Sequence, residues 1–227
     1  MFSHIFGSHA DPFRVMVPAN HLVAVRGHHV ILGCEFSPDL GPHYNLSNLV
    51  VTWQRQEDND VVHSYYYEKD QLEHQSPRYR GRTALFVNKL ARGNASLHLE
   101  QVALSDEGRY LCTVSTDMGT EKAELRLDYG AFYNDLRLSI NVKSPDILVQ
   151  YEAKGFPAPE VMWIGEHGEN ISNHTQTSLQ IDQEDGLYLF KSSYVAPSNP
   201  LNFTFVLQNK LLHQHLEMPV SYSYEVC

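Results

Sequence analysis

Short runs rich in Val, Leu, Tyr and Thr recur about every 8–12 residues and are separated by Gly, Pro, Asn and Asp. This is the pattern of an all-β chain; no amphipathic helix of three turns is visible. In "HVILGCEF" the residues Val30, Leu32, Cys34 and Phe36 share one face, and in "GRYLCTVS" Tyr110, Cys112 and Val114 do. The first half offers nine candidate strands, from "FRVMVP" to "EKAELRLDY", over about 118 residues. The second offers seven, from "LRLSINV" to "HLEMPVSY", over about 97. These predict two tandem β-sandwiches, residues 11–129 and 130–227, with a flexible joint at Gly130 in "DYGAFYND".

Alternation points Cys34 and Cys112 into the same core, and Trp53 lies 19 residues after Cys34. A Cys, a Trp and a distant Cys two residues after a Tyr is the spacing of an immunoglobulin sandwich, of variable type for nine strands and constant type for seven. "DEGRYLC" adds a tight turn and places Tyr110 where a tyrosine corner belongs, with Asp106 expected to meet Arg82 of "RGRTALF". Arg82, Asp106, Tyr110 and Trp53 read first as residues that hold the fold. Two free buried thiols are the alternative to a Cys34–Cys112 disulfide, which is expected in an extracellular sandwich and would stabilise it by about 4–5 kcal/mol.

Composition narrows the function classes. The 227 residues carry a formal net charge of −10, against the basic balance usual in a nucleic-acid binder. No apolar run is long enough to cross a bilayer, and "MFSHIFGSHADPF" does not read as a signal peptide. Five N-x-S/T sequons occur, at Asn45, Asn94, Asn170, Asn173 and Asn202, where chance would give roughly one or two. They point to an extracellular glycoprotein, secreted or anchored by a segment outside this chain. Thirteen His include His28-His29 and the pair His213 and His215, expected on one strand face, but no third ligand stands at metal spacing. No nucleophile motif, phosphate loop or paired catalytic carboxylates are present, so neither an enzyme nor a cofactor is expected.

The stretch from "VVHSYYYEKDQ" through "YRGRTALF" and "GNASL" to "DEGRYLC" resembles the variable-type domain of the B-seven and butyrophilin-like ligands. "GAFYNDLRL" resembles their interdomain junction, and "GFPAPEVMW" the start of their constant-type domain. The resemblance implies a cell-surface or secreted ligand that binds a receptor on lymphocytes and modulates costimulation or inhibition. Homophilic or heterophilic adhesion and a soluble decoy are the alternatives, and a homodimer is a possible partner state. On the family's receptor-facing sheet it places Gln54, Tyr65, Tyr67, Ser115, Met118, Lys122 and Glu124. Tyr and Met there also suit an interface on physical grounds.

The second half departs from that pattern. Tyr151 stands at the first cysteine position and Phe205 at the second, with Phe203 at the corner-tyrosine position. Alternation predicts that Tyr151 and Phe205 meet Trp163 where a disulfide would sit. Losing the bridge costs about 4 kcal/mol, burying two rings returns roughly 1.5–3 kcal/mol each, and overpacking takes back about 1–3. A folded but less stable second domain is expected. Cys227, the third cysteine, reads as an intermolecular partner or a truncation product.

Overall fold

A computed structural model describes residues 12–143, 146–196 and 200–223; Cys227 lies outside them. The chain divides into two compact units, Met1–Asp128 and Tyr129–Cys227. Regular structure is strand, joined by loops and short 3-10 turns.

The first unit holds β1 (Arg14–Met16), β2 (His21–Val25), β3 (Val30–Leu32), β4 (Glu35–Ser37), β5 (Val50–Arg55), β6 (Val61–Tyr66), β7 (Lys69–Asp70), β8 (Thr83–Leu85), β9 (Leu97–Leu99), β10 (Gly108–Thr116) and the start of β11 (Gly119–Lys143). One sheet runs β7–β6–β5–β10–β11, with β2 on β11; another runs β3–β9–β8, and β1 pairs β4. The single strand expected over "HVILGCEF" is two. The Cys34 N–H donates to the Ser96 hydroxyl at 3.1 Å, a side chain taking the place of a ladder bond, and the chain then changes partner from β9 to β1.

Both sheets bury one face, as the alternation requires. Cys34 and Cys112 form a disulfide, with 6.5 Å between their Cα atoms. Trp53 is fully buried beside it and donates its indole N–H to the Ala95 carbonyl at 2.9 Å. The Tyr110 hydroxyl donates to the Asp106 carbonyl at 2.7 Å, the bond that defines a tyrosine corner. Burial, with Tyr79 and Asp106 nearby, pushes that hydroxyl far above the usual tyrosine range. Asp106 is fully buried and accepts from the Arg82 guanidinium through both carboxylate oxygens, at 2.8 and 2.9 Å, and from the Ala103 N–H at 2.8 Å.

The second unit holds the rest of β11 with β12 (Asp146–Phe156), β13 (Glu160–Gly165), β14 (Thr175–Ile181), β15 (Tyr188–Ala196), β16 (Leu201–Asn209) and β17 (Gln214–Tyr222). Its sheets are β14–β15–β12–β11 and β13–β16–β17. Between them Tyr151 stacks on Phe205 with ring centroids 4.2 Å apart, and both meet the Trp163 ring edge-on, at 5.6 and 5.1 Å. Phe203 reaches Trp163 from the same strand, at 5.2 Å. Aromatic faces and edges thus fill the space between the sheets, with the Trp163 indole N–H satisfied by the Ser192 hydroxyl at 2.9 Å. The Tyr151 hydroxyl is buried with no hydrogen-bond partner among the described residues, and burial pushes it up to about 12.

Strand β11 continues through Gly130. β11 pairs β10 up to Leu127 and β12 from Ala131 onward. Gly130 also allows a close approach within the second unit: a Cβ there would stand 2.7 Å from the Leu212 side chain.

Candidate binding face

Residues opposed in an antiparallel ladder share a face, so the register of the first unit's larger sheet maps its outer surface. Leu111 lies between Gln54 and Glu124, Thr113 between Thr52 and Lys122, and Ser115 between Val50 and Thr120. Gln54, Ser115, Lys122 and Glu124 therefore stand together on the face opposite the Cys112–Trp53 core pair. Ser115 is held by the Thr120 hydroxyl, which donates to it at 2.8 Å.

Tyr65 does not belong to that face. It is opposed to Val51, whose side chain is fully buried, and is itself only 1% exposed. His63, opposed to Trp53, faces inward with it, and a register shift just beyond that pair leaves Val62 buried as well. Tyr66, one residue on, follows Ser64 onto the outer face. Tyr67 is not on the strand at all: it begins the turn to β7, is 72% exposed, and contacts Tyr66 ring-to-edge at 5.3 Å. Tyr66 was missed because "SYYYE" alternates equally well in either register.

Strand direction gathers the exposed aromatic and sulfur side chains. β6 and β10 both run antiparallel to β5 and so parallel to each other. The turns that follow them, Tyr67–Glu68 and Asp117–Met118, lie at one end, together with residues 38–49 leading into β5. Tyr67 and Glu68 have φ of 54° and 61°, the left-handed pair of a two-residue hairpin turn usually given to Asn-Gly. A bulky ring in that conformation is strained, as residues at functional sites often are. Met118, 45% exposed, caps the other turn. Tyr44 ties the preceding loop to it, its hydroxyl donating to Asp117 at 3.0 Å. Burial and the Asp117 carboxylate hold that hydroxyl above the usual tyrosine range, so it remains a donor.

The opposite end is closed by ion pairs. Asp58 accepts from Arg55 at 2.5 Å and Arg78 at 2.8 Å, and Glu57 from the Arg109 backbone N–H at 3.0 Å. Burial alone would raise both acids, but the Asp60 N–H and Arg78 lower Asp58 further, and the Arg109 N–H and guanidinium do the same for Glu57. Acids held below their unfolded range stabilise the fold above it and lose that contribution as protons bind. The melting temperature of the first unit is expected to fall as pH drops below about 4, and Asp58→Asn to flatten the fall. A melting temperature unchanged from pH 6 to pH 3 would contradict this.

Buried within the same sheet, His63 meets Thr83 at 2.9 Å through Nδ1 and Asp70 at 2.8 Å through Nε2, while Gln75 donates to Thr83 at 2.8 Å. His213 lies in the turn before β17, with φ of 52°, so it does not share a strand face with His215. Among the described residues no group of three or more His, Cys, Asp or Glu side chains could hold a metal ion. Asn45, Asn170, Asn173 and Asn202 are exposed, and Asn94 is half-buried.

Residues 17–128 match the immunoglobulin V-set domain family. The chain is 32% identical over 184 residues to human V-set domain-containing T-cell activation inhibitor 1, covering 80% of this chain and 62% of that protein. It is 28% identical over 212 residues to human butyrophilin subfamily 1 member A1, covering 92% and 39%. The crystal structure of bovine butyrophilin superposes with a TM-score of 0.79 at 27% identity, covering 94% of this chain and all of that one. The chain thus spans under two thirds of the length of these two relatives. Its first unit is an immunoglobulin V-set domain, and over most of its length the chain is similar to the T-cell activation inhibitor and to butyrophilin.

Proposed function

We propose that this chain is the extracellular recognition part of an immune ligand, whose V-set unit binds a protein receptor on lymphocytes and modulates T-cell activation. The observation that carries this is the convergence of Tyr66, Tyr67 and Met118 at one end of a V-set sheet in a relative of a T-cell activation inhibitor. Exposed tyrosine and methionine give large contact area for little lost freedom, and hot spots concentrate on such side chains. Gln54, Ser115, Lys122 and Glu124 supply a polar surround, while Tyr65 supports the face from beneath.

The test is a binding screen of the purified chain against lymphocyte receptor ectodomains, repeated with Tyr67→Ala and Met118→Ala. Each is expected to weaken binding at least about tenfold, a hot-spot-sized loss, with the melting temperature preserved. Binding that survives both substitutions would remove this end from the interface. Self-association in place of receptor capture would favour adhesion.

A further inference from the structure

The sequons mark a second device at the same end. Asn45 precedes the short 3-10 turn Leu46–Asn48, and its Oδ1 accepts the Ser47 backbone N–H at 3.0 Å. That bond orients the amide and leaves Nδ2, the atom that would carry a sugar, uncommitted on an exposed side chain. The residue before it, Tyr44, holds Asp117, and Asp117 adjoins Met118. Three other sequons use their hydroxyls inside the fold: Ser96 at the Cys34 backbone, Ser172 accepting the Trp163 backbone N–H at 2.9 Å, and Thr175 donating to the Ser172 carbonyl at 2.7 Å. Among the described residues the Ser47 hydroxyl makes no hydrogen bond in the structure, so the fold asks nothing of this sequon beyond the turn itself.

We infer that Asn45 carries an N-linked glycan lying over the Tyr44–Asp117–Met118 rim, which limits access of a protein partner to that end. The link joins Asn45 Nδ2 to the anomeric carbon of an N-acetylglucosamine. The bond from that carbon to the diphosphate of a lipid-linked oligosaccharide breaks, the amide gives up one proton, and the lipid diphosphate leaves. A bulky, hydrated group then stands beside the strained Tyr67 turn and Met118. The partner-access part of this inference rests on the function proposed above; the modification and the shielding do not.

The test uses the full chain secreted from glycosylating cells. Glycosidase release in heavy-oxygen water followed by peptide mass analysis reads occupancy at Asn45, expected to be predominant. Ser47→Ala removes the sequon while keeping the Asn45 turn bond to the backbone, and Asn45→Gln is the second variant. Dilute hydrogen peroxide then reads shielding: Met118 is expected to oxidise several-fold faster in Ser47→Ala than in the glycosylated chain, with Met162 and Met218 unchanged as internal references. In the receptor screen, Ser47→Ala is expected to bind several-fold more tightly. An unmodified Asn45, equal Met118 oxidation, or equal receptor binding by the two forms would each overturn the inference. If neither form binds any receptor, the proposed function fails, while occupancy and oxidation still decide the glycan.

Discussion

Replacing Arg82 with methionine lowers the unfolding free energy of the first unit by about 3–5 kcal/mol, the cost of stranding a buried charge. The reason is the carboxylate left behind. Asp106 is fully buried and receives two charge-assisted bonds from the guanidinium and one from the Ala103 N–H. Methionine fills much of the stem volume but donates nothing, so one backbone N–H remains to stabilise the buried anion. Arg82 also lies over the Tyr79 ring at 5.5 Å, and that ring contacts Tyr110 of the tyrosine corner. The loss is measured by urea denaturation, with Lys122→Met as the exposed control. A loss below about 1 kcal/mol would mean that the pair behaves like a surface salt bridge. The paired change Arg82→Met with Asp106→Leu should recover part of the loss, because no charge is then left stranded.

The second unit carries the other large effect. Phe205→Ala is expected to cost about 3–5 kcal/mol, since it removes a fully buried ring that touches Tyr151, Trp163 and Phe190 and leaves a cavity between two sheets. Tyr151→Phe is expected to do the opposite. Its hydroxyl is buried without a partner among the described residues, a state that costs about 1–3 kcal/mol, so removing the oxygen should leave stability unchanged or raise it. With Trp163 inside this cluster and Trp53 in the other unit, unfolding of single-tryptophan variants followed by fluorescence assigns each loss to its unit. A loss of about 1 kcal/mol or more from Tyr151→Phe would show that the hydroxyl is satisfied in solution, and a loss below about 1 kcal/mol from Phe205→Ala that the ring contributes little.

Much of this architecture is legible in the sequence, because the features that encode it are local or carried by rare residues. The alternation around Cys34 and Cys112, the Trp53 spacing and "DEGRYLC" specify the first sandwich, and Tyr151, Trp163 and Phe205 fall on matching faces of the second. The face of β6 is not legible, since "VVHSYYYE" fits either register. The choice is made by the pairing of Tyr65 with Val51 and by His63, whose partner Thr83 lies 20 residues away. The packing at Gly130 is not legible either, because the Leu212 side chain that takes the space of a Cβ there lies far along the chain. The clustering of Tyr67 with Met118 comes from strand direction, which periodicity does not reveal.

The ring stack at Tyr151 and Phe205 also gives the two units unequal dependence on oxidation. A reductant that opens Cys34–Cys112 removes the cross-link of the V-set unit, whereas the stacked core contains no bond that thiols can exchange. Assembly of the second unit's described core therefore needs no oxidant, while the first unit gains its bridge only where disulfides persist. The redox state of the surroundings acts on the half that carries the candidate binding face.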